Sequence, residues 1–290
     1  MVGSRRRSLH ERICSSCRRR TEQRANESGQ RHPQARKRFL RADQQPGIAR
    51  PPCEGERQVN GRLDMKITWY GQASFAIESE SGTRIVTDPY DPEKAGFRAF
   101  CDPADIVIKS SSNDDFHDND HLVPKREDAT VIDALQVALG SKEISSHGVT
   151  FYAIEAMEHL EHPSRDPDQN AMYRFNIDGI EIGHMGDMGN DFSDSQLSFF
   201  ADVNVLLSHA GGFPVISLEE LNRIADIVRP QLVIPMHFRT LCYKPCDMHF
   251  ISEFLASFGE ERVDFACKSS TSLKSEDLPS ATRALVLDYH

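Results

Sequence analysis

The chain has 290 residues, 39% of them hydrophobic, enough to bury the core of one large domain or two small ones, and no window approaches the ~20 apolar residues of a membrane span. Charge divides it into a basic head and an acidic body: residues 1–64 carry 16 Lys and Arg against 7 Asp and Glu, about +9, while residues 65–290 carry 18 against 37, about −19. An acidic body argues against a general nucleic-acid role, so polyanion binding is expected only through the head.

Seven cysteines, odd in number and scattered at 14, 17, 53, 101, 242, 246 and 267, form no compact framework and suggest a reducing compartment. The Cys14-x-x-Cys17 pair has no partner pair at zinc-knuckle spacing. The N-terminus lacks the apolar core of a secretory signal, so a cytoplasmic protein is expected.

Residues 1–64 are rich in Arg, Gln, Pro and Ser and predict a disordered basic extension. A domain over 65–265 then begins with two short strands, Lys66-Ile-Thr-Trp-Tyr70 and Ser74-Phe-Ala-Ile-Glu78. The next strand, Arg84-Ile-Val-Thr87, ends in Asp88-Pro89, where the aspartate reads equally as an outer carboxylate of a site or as a turn residue. Asp105-Ile-Val-Ile108 is a buried strand entering the polar loop 109–121, and a polar loop after a buried strand often carries chemistry. The apolar run 131–139 fits strand or helix. Gly148 to Glu155 is a strand, followed by Ala156-Met-Glu-His-Leu-Glu-His-Pro163.

Strand 172–177 and a hairpin at Asp178-Gly179 lead to Ile180-Glu-Ile-Gly-His-Met-Gly-Asp187, a short strand that delivers an acidic side chain into a glycine-lined turn. The apolar strand 203–207 precedes Ser208-His-Ala-Gly-Gly212. A helix should follow from a capping box at Ser217 and Glu220, with apolar residues at helical spacing as far as Val228. Leu232-Val-Ile-Pro-Met236 is a strand whose end carries His237, and a second helix is expected around 249–258. Residues 266–290 read as a loose tail with one strand at 284–287. Strands first and helices later suit one layered α/β domain.

These pieces resemble the metallo-β-lactamase fold, and within it the branch of ascorbate-6-phosphate lactonase and its relatives. The resemblance runs over about residues 65–258. It is carried by Lys66 to Glu78, Thr87-Asp-Pro89, Gly183-His-Met-Gly-Asp187, Leu207-Ser-His-Ala-Gly-Gly212 and Ile234-Pro-Met-His237, in family order. It implies a four-layer αββα sandwich with a metal site at one rim.

The family motif His-x-His-x-Asp-His is degenerate here. Aligned without a gap, its positions become Ser111, Asn113, Asp115 and Phe116, and one inserted residue brings His117 to the last place. Gln72 stands where many relatives have histidine. The remaining family ligands map to His159, Asp187 and His237. One family metal position has thus lost two histidines, whereas Asp115, His117, Asp187 and His237 could still hold one divalent ion, zinc or manganese, with iron a further candidate.

The resemblance implies a mononuclear hydrolase of a small ester, lactone or phosphorylated metabolite, in which Asp187 or Asp115 orients water and His184, His159 or His209 assists the leaving group. Lys109, Lys125, Arg126 and Arg239 could supply local positive charge for a phosphate. Two other readings stand beside it: a binding or assembly module that kept the fold and lost the metal, and a nuclease-like body tethered to nucleic acid by the head. A small-molecule substrate and no membrane partner are expected. The sequence leaves a homo-oligomer open.

Overall fold

Alternating burial organises the first half of the domain. The computed structural model describes residues 64–112, 116–159, 168–212, 215–245 and 248–289, so the expected basic extension lies outside the described residues. In chain order the strands are β1 (Met65–Gly71), β2 (Ser74–Glu78), β3 (Arg84–Thr87), β4 (Ala104–Lys109), β5 (Lys125–Asp133), β6 (Glu143–Ser146) and β7 (Val149–His159). They continue with β8 (Asp168–Ile177), β9 (Ile180–His184), β10 (Val205–His209), β11 (Leu232–Met236), β12 (Val263–Phe265), β13 (Ser270–Leu273) and β14 (Arg283–Val286).

Two mixed sheets result. One has the order β13-β1-β2-β3-β4-β5 and the other β12-β14-β11-β10-β9-β8-β7-β6. Ile67, Trp69, Phe75 and Ile77 point into an apolar cluster shared with Phe151, Phe175, Ile182 and Leu207 of the second sheet. Burying each of the aromatic rings contributes about 2–3 kcal/mol of transfer free energy. The residues between them, Tyr70 and Ala76, face a second cluster with Val86, Tyr90, Phe97 and Phe100. The first sheet is therefore apolar on both faces.

The helix Leu218–Val228 buries Leu221, Ile224, Ala225 and Val228 on one stripe. Ser217 caps it by accepting the Glu220 N–H at 3.1 Å, but the expected reciprocal half of a capping box is absent. The Glu220 carboxylate accepts instead from the Phe192 N–H at 2.9 Å and from Arg223. A complete capping box, Ser193 with Gln196, opens the helix Asp194–Phe199, which the sequence reading does not predict.

Three further expectations need correction. Residues 266–290 are not a loose tail, because β13 pairs with β1 and β14 lies between β11 and β12, so this segment closes one edge of the first sheet and enters the second. The ambiguous run 131–139 splits, its first part ending β5 and its second forming the helix Ala134–Leu139 capped by Asp133. The strand placed at 203–207 runs Val205–His209, so His209 lies on the strand rather than after it.

What positions a site is strand direction. Strands β9, β10 and β11 are parallel, as are β3 and β4. Their carboxyl ends deliver His184, His209, His237, Asp88 and Ser110, and the β1–β2 turn lies beside the end of β3, where Phe75 N–H meets the Thr87 hydroxyl at 2.9 Å. Carboxyl ends of parallel strands are where open α/β sheets place ligands, since backbone groups there run out of partners. Among the described residues no helix is long and apolar enough to cross a membrane.

Candidate functional site

At this rim His117, Asp187 and His237, all buried, offer donor atoms within 4.8 Å of one another. His117 Nδ1 lies 3.6 Å from Asp187 Oδ2, and His237 Nε2 lies 3.5 Å from Asp187 Oδ1. Tetrahedral donors bonded to one ion at about 2.0–2.1 Å lie about 3.4 Å apart, so the spacing and the chemistry of these donors fit a divalent metal. The two imidazole rings are parallel, with interplanar angle 4° and centroids 5.8 Å apart.

Local backbone geometry explains why these three meet. Gly186 adopts φ 61°, and a Cβ there would approach Ala171 O to 2.3 Å, so only glycine makes the turn that presents Asp187. Asn170 Nδ2 then holds the Asp187 carbonyl at 2.8 Å. His237 itself has φ 54°, and its N–H donates to Gln72 O at 2.9 Å. Gly211 admits the His237 carbonyl, which a Cβ would meet at 2.1 Å. Within the Ser-His-Ala-Gly-Gly motif Gly211 thus serves close approach to His237, while Gly212, at φ 64°, faces the His249 ring.

The flanking residues are held with equal care. Asp88, buried and at φ 36°, accepts from the Ser110 N–H at 2.6 Å and the Ser110 hydroxyl at 2.9 Å, and so pins the loop that carries His117. Asp88 thus braces Ser110 from a left-handed turn before Pro89, in keeping with both readings of it. His184 Nε2–H donates to Ala73 O at 2.9 Å, while its Nδ1 accepts from the Gly186 N–H at 3.0 Å. Burial lowers its pKa to about 3, and Tyr173 stacks on it at 4.7 Å. Both nitrogens are engaged by backbone groups, the single ring proton by Ala73 O.

His209 differs. It is buried, packs edge-on against His237 at 5.1 Å, and neither of its ring nitrogens makes a hydrogen bond of normal geometry. Its pKa is pushed well below the usual histidine range, first by burial and then by His237, His184 and His117, with the Gly186 backbone opposing. A buried polar group in this condition calls for an explanation, and adjacency to the three donors supplies one.

Of the five metal candidates from the sequence, His117, Asp187 and His237 are brought together. Asp115 lies outside the described residues. His159 closes β7, paired with Asp168, and its side chain falls outside them as well. The cations expected to serve a phosphate are engaged elsewhere: Lys109 pairs with Asp118 and Asp120, Lys125 lies 3.8 Å from Asp120, and Arg126 grips both Asp105 oxygens at 2.8 and 2.7 Å. Arg239 lies over the Phe250 ring at 4.7 Å. Ser110, Asn170 and Tyr173 were not foreseen. Each is an ordinary residue type within or just past a strand, and only its contacts reveal the role.

Residues 66–237 match the family model for the beta-lactamase superfamily domain. A UPF0173 protein of Pyrococcus abyssi is 30% identical over 190 residues, covering 61% of this chain and 84% of its own length. A protein of Methanosarcina mazei named as a UPF0173 metal-dependent hydrolase is 27% identical over 199 residues, with the same 61% and 84% coverage. Among solved structures, one from Thermotoga maritima, named as a zinc-dependent hydrolase of the metallo-beta-lactamase superfamily, superposes with TM-score 0.61 at 28% identity and covers 78% of this chain and all of its own. With the two mixed sheets and the buried rim site, these findings establish that the chain belongs to the metallo-β-lactamase superfamily and, within it, to the UPF0173 family of metal-dependent hydrolases.

Proposed function

We propose that the protein is a mononuclear hydrolase in which His117, Asp187 and His237 hold one divalent ion and the substrate is a small ester or lactone. The observation that carries this reading is the convergence of the three buried side chains within 4.8 Å. Two histidines and one carboxylate are a known catalytic zinc set that keeps a position open for water, and manganese or iron would also accept them. When bound, the ion lowers the pKa of water and polarises a carbonyl oxygen.

The chain's own groups do the rest. Asp187, fixed by Gly186 and Asn170, orients the attacking water, and Asp115 is the second candidate for that task. His209, neutral and adjacent to His237, donates to the leaving oxygen or to the carbonyl oxygen. His184 holds the rim together through Ala73 and Gly186. Because Lys109, Lys125 and Arg126 already face carboxylates, a carbonyl substrate is favoured over a phosphorylated metabolite. The lactonase-like branch assignment and a small-molecule partner belong to this same reading, as does a cytoplasmic location.

Elemental analysis of the purified full-length chain tests it. About one equivalent of zinc, manganese or iron is expected, lost in His237→Ala and in His117→Ala. A folded parent without metal under any loading condition would sink the hydrolase and favour the binding module that has lost its ion.

A further inference from the structure

One residue touches two of the three proposed ligands. The backbone carbonyl of Gln72 accepts from the His237 N–H at 2.9 Å and from Trp69 Nε1–H at 3.0 Å. Its side-chain amide lies between the next residue and the other histidine. The Ala73 N–H donates to Gln72 Oε1, and Gln72 Nε2 sits 3.3 Å from His117 Nε2. Gln72 is 1% exposed and at φ 53°, a conformation a non-glycine residue keeps only where its surroundings impose it.

These contacts argue for one placement of the protons. A backbone N–H is an obligatory donor, so the amide oxygen must face Ala73 and the NH2 group must face His117. His117 Nε2 is then the acceptor. A neutral imidazole carries one proton, which therefore sits on Nδ1, the nitrogen 3.6 Å from Asp187 Oδ2. That is the nitrogen whose lone pair the ion needs.

Resting on the metal reading above, we propose that Gln72 is a positioning residue that sets the tautomer of His117 and keeps its metal-facing nitrogen protonated, which weakens ion binding. For Nδ1 to ligate, its proton moves to Nε2, where it meets the Gln72 NH2 donor to donor. Turning the amide over relieves that contact but sets the NH2 against the Ala73 N–H. One donor clash accompanies the bound state either way. A ligating histidine ordinarily presents its other N–H to a carboxylate or carbonyl. Gln72 presents the opposite polarity, whereas a glutamate at this position would accept from both Ala73 and His117.

The test uses the full-length chain, freed of metal by a chelator and held at about pH 8, above the ordinary histidine pKa of about 6.5. Nitrogen-15 NMR of the imidazoles reads the tautomer, and titration with cobalt(II), followed by its visible absorption, reads affinity. His117 should carry its proton on Nδ1 in the native chain and on Nε2 in Gln72→Glu. Cobalt should bind Gln72→Glu at least about tenfold more tightly, the lower end of effects seen for partners of metal-ligating histidines. Gln72→Met, which is uncharged and of similar size, should also bind more tightly than the native chain, separating the tautomer from added charge.

A native His117 protonated on Nε2, or a folded Gln72→Met that binds cobalt no better than the native chain, overturns the proposal. If Gln72→Glu fails to fold, the native tautomer and Gln72→Met decide the matter. Should no variant bind cobalt while the native chain shows the proton on Nδ1, the metal reading and the affinity effect both fail and the tautomer assignment alone survives.

Discussion

The two rims of the sandwich are built from the same kind of chain reversal and treat it differently. At the carboxyl rim, Gln72, Asp88 and His237 are buried non-glycine residues at φ 53°, 36° and 54°, and Gly186 at φ 61° is packed against neighbouring backbone. At the opposite rim, the turns before β3 and β9 use Gly82 and the Asp178-Gly179 pair, with open space around both glycines. The Glu80 N–H donates to Asp178 Oδ2 at 2.7 Å, tying these two turns together without any buried histidine. Left-handed residues of ordinary type cost about 1–3 kcal/mol each and persist where packing over-determines them. Among the described residues Lys142, His147, Asp178, Arg229 and Cys267 are left-handed as well, but none of them is buried, and it is the buried set of Gln72, Asp88 and His237 that marks the rim holding His117, Asp187 and His237 as the working end.

The sharpest way to break the contrast is at Gly186. Replacing it by Ala combines a strained φ with a Cβ 2.3 Å from Ala171 O, and it disturbs the N–H that His184 accepts. A loss of about 3 kcal/mol or more is expected, read as a lower urea midpoint with an unchanged slope. A change under about 1 kcal/mol would mean that the rim yields easily and that its strain has no structural enforcement.

Much of this was legible in the sequence because it is local. A short apolar strand followed by Gly-His-Met-Gly-Asp187, or one that ends at Pro235-Met-His237, announces itself by alternation and glycine spacing. The pairing of β13 with β1 does not, because Ser270-Thr-Ser-Leu273 is a polar edge strand whose existence depends on the unpaired backbone of Met65 to Thr68. For the same reason the charged start of β5, Lys125-Arg-Glu-Asp128, gives no strand signal of its own. At the site, the sequence could nominate His184 and His209 only as equals. Contact with Ala73 and Gly186 separates them, since it occupies both nitrogens of one ring and leaves the other without normal hydrogen bonds. Gln72 stood out only through the family resemblance, and its reach to His117 and His237 depends on the left-handed turn.

A smaller effect follows from the buried histidine of the working rim. His184 has a folded pKa of about 3 against an ordinary value of 6.5, mainly through burial, so the unfolded chain binds the extra proton first as pH falls. Above about pH 6.5 there is no penalty, and below it stability should decline by about 1.4 kcal/mol per pH unit until the folded pKa is reached, or about 2 kcal/mol at pH 5. Urea midpoints at stepped pH measure this. His184→Gln keeps a donor for Ala73 O and an acceptor for Gly186, and should flatten the decline by one proton. An unchanged slope in that variant would place the acid sensitivity elsewhere.

The smallest effect belongs to the other rim. Gly179 has φ 78° and nothing within 4 Å of where a Cβ would stand, so Gly179→Ala meets no clash and carries only the cost of a left-handed alanine, about 1 kcal/mol. Metal binding and any hydrolytic activity should be untouched, because the turn lies at the amino end of β9 while Asp187 follows its carboxyl end. The comparison of urea midpoints with Gly186→Ala is the informative number. Similar φ angles lead to a difference of about 2 kcal/mol only if packing, rather than backbone conformation, decides the cost. Equal losses would show that the two rims are held alike, and the case for a specially enforced working end would rest on the side chains of His117, Asp187 and His237 alone.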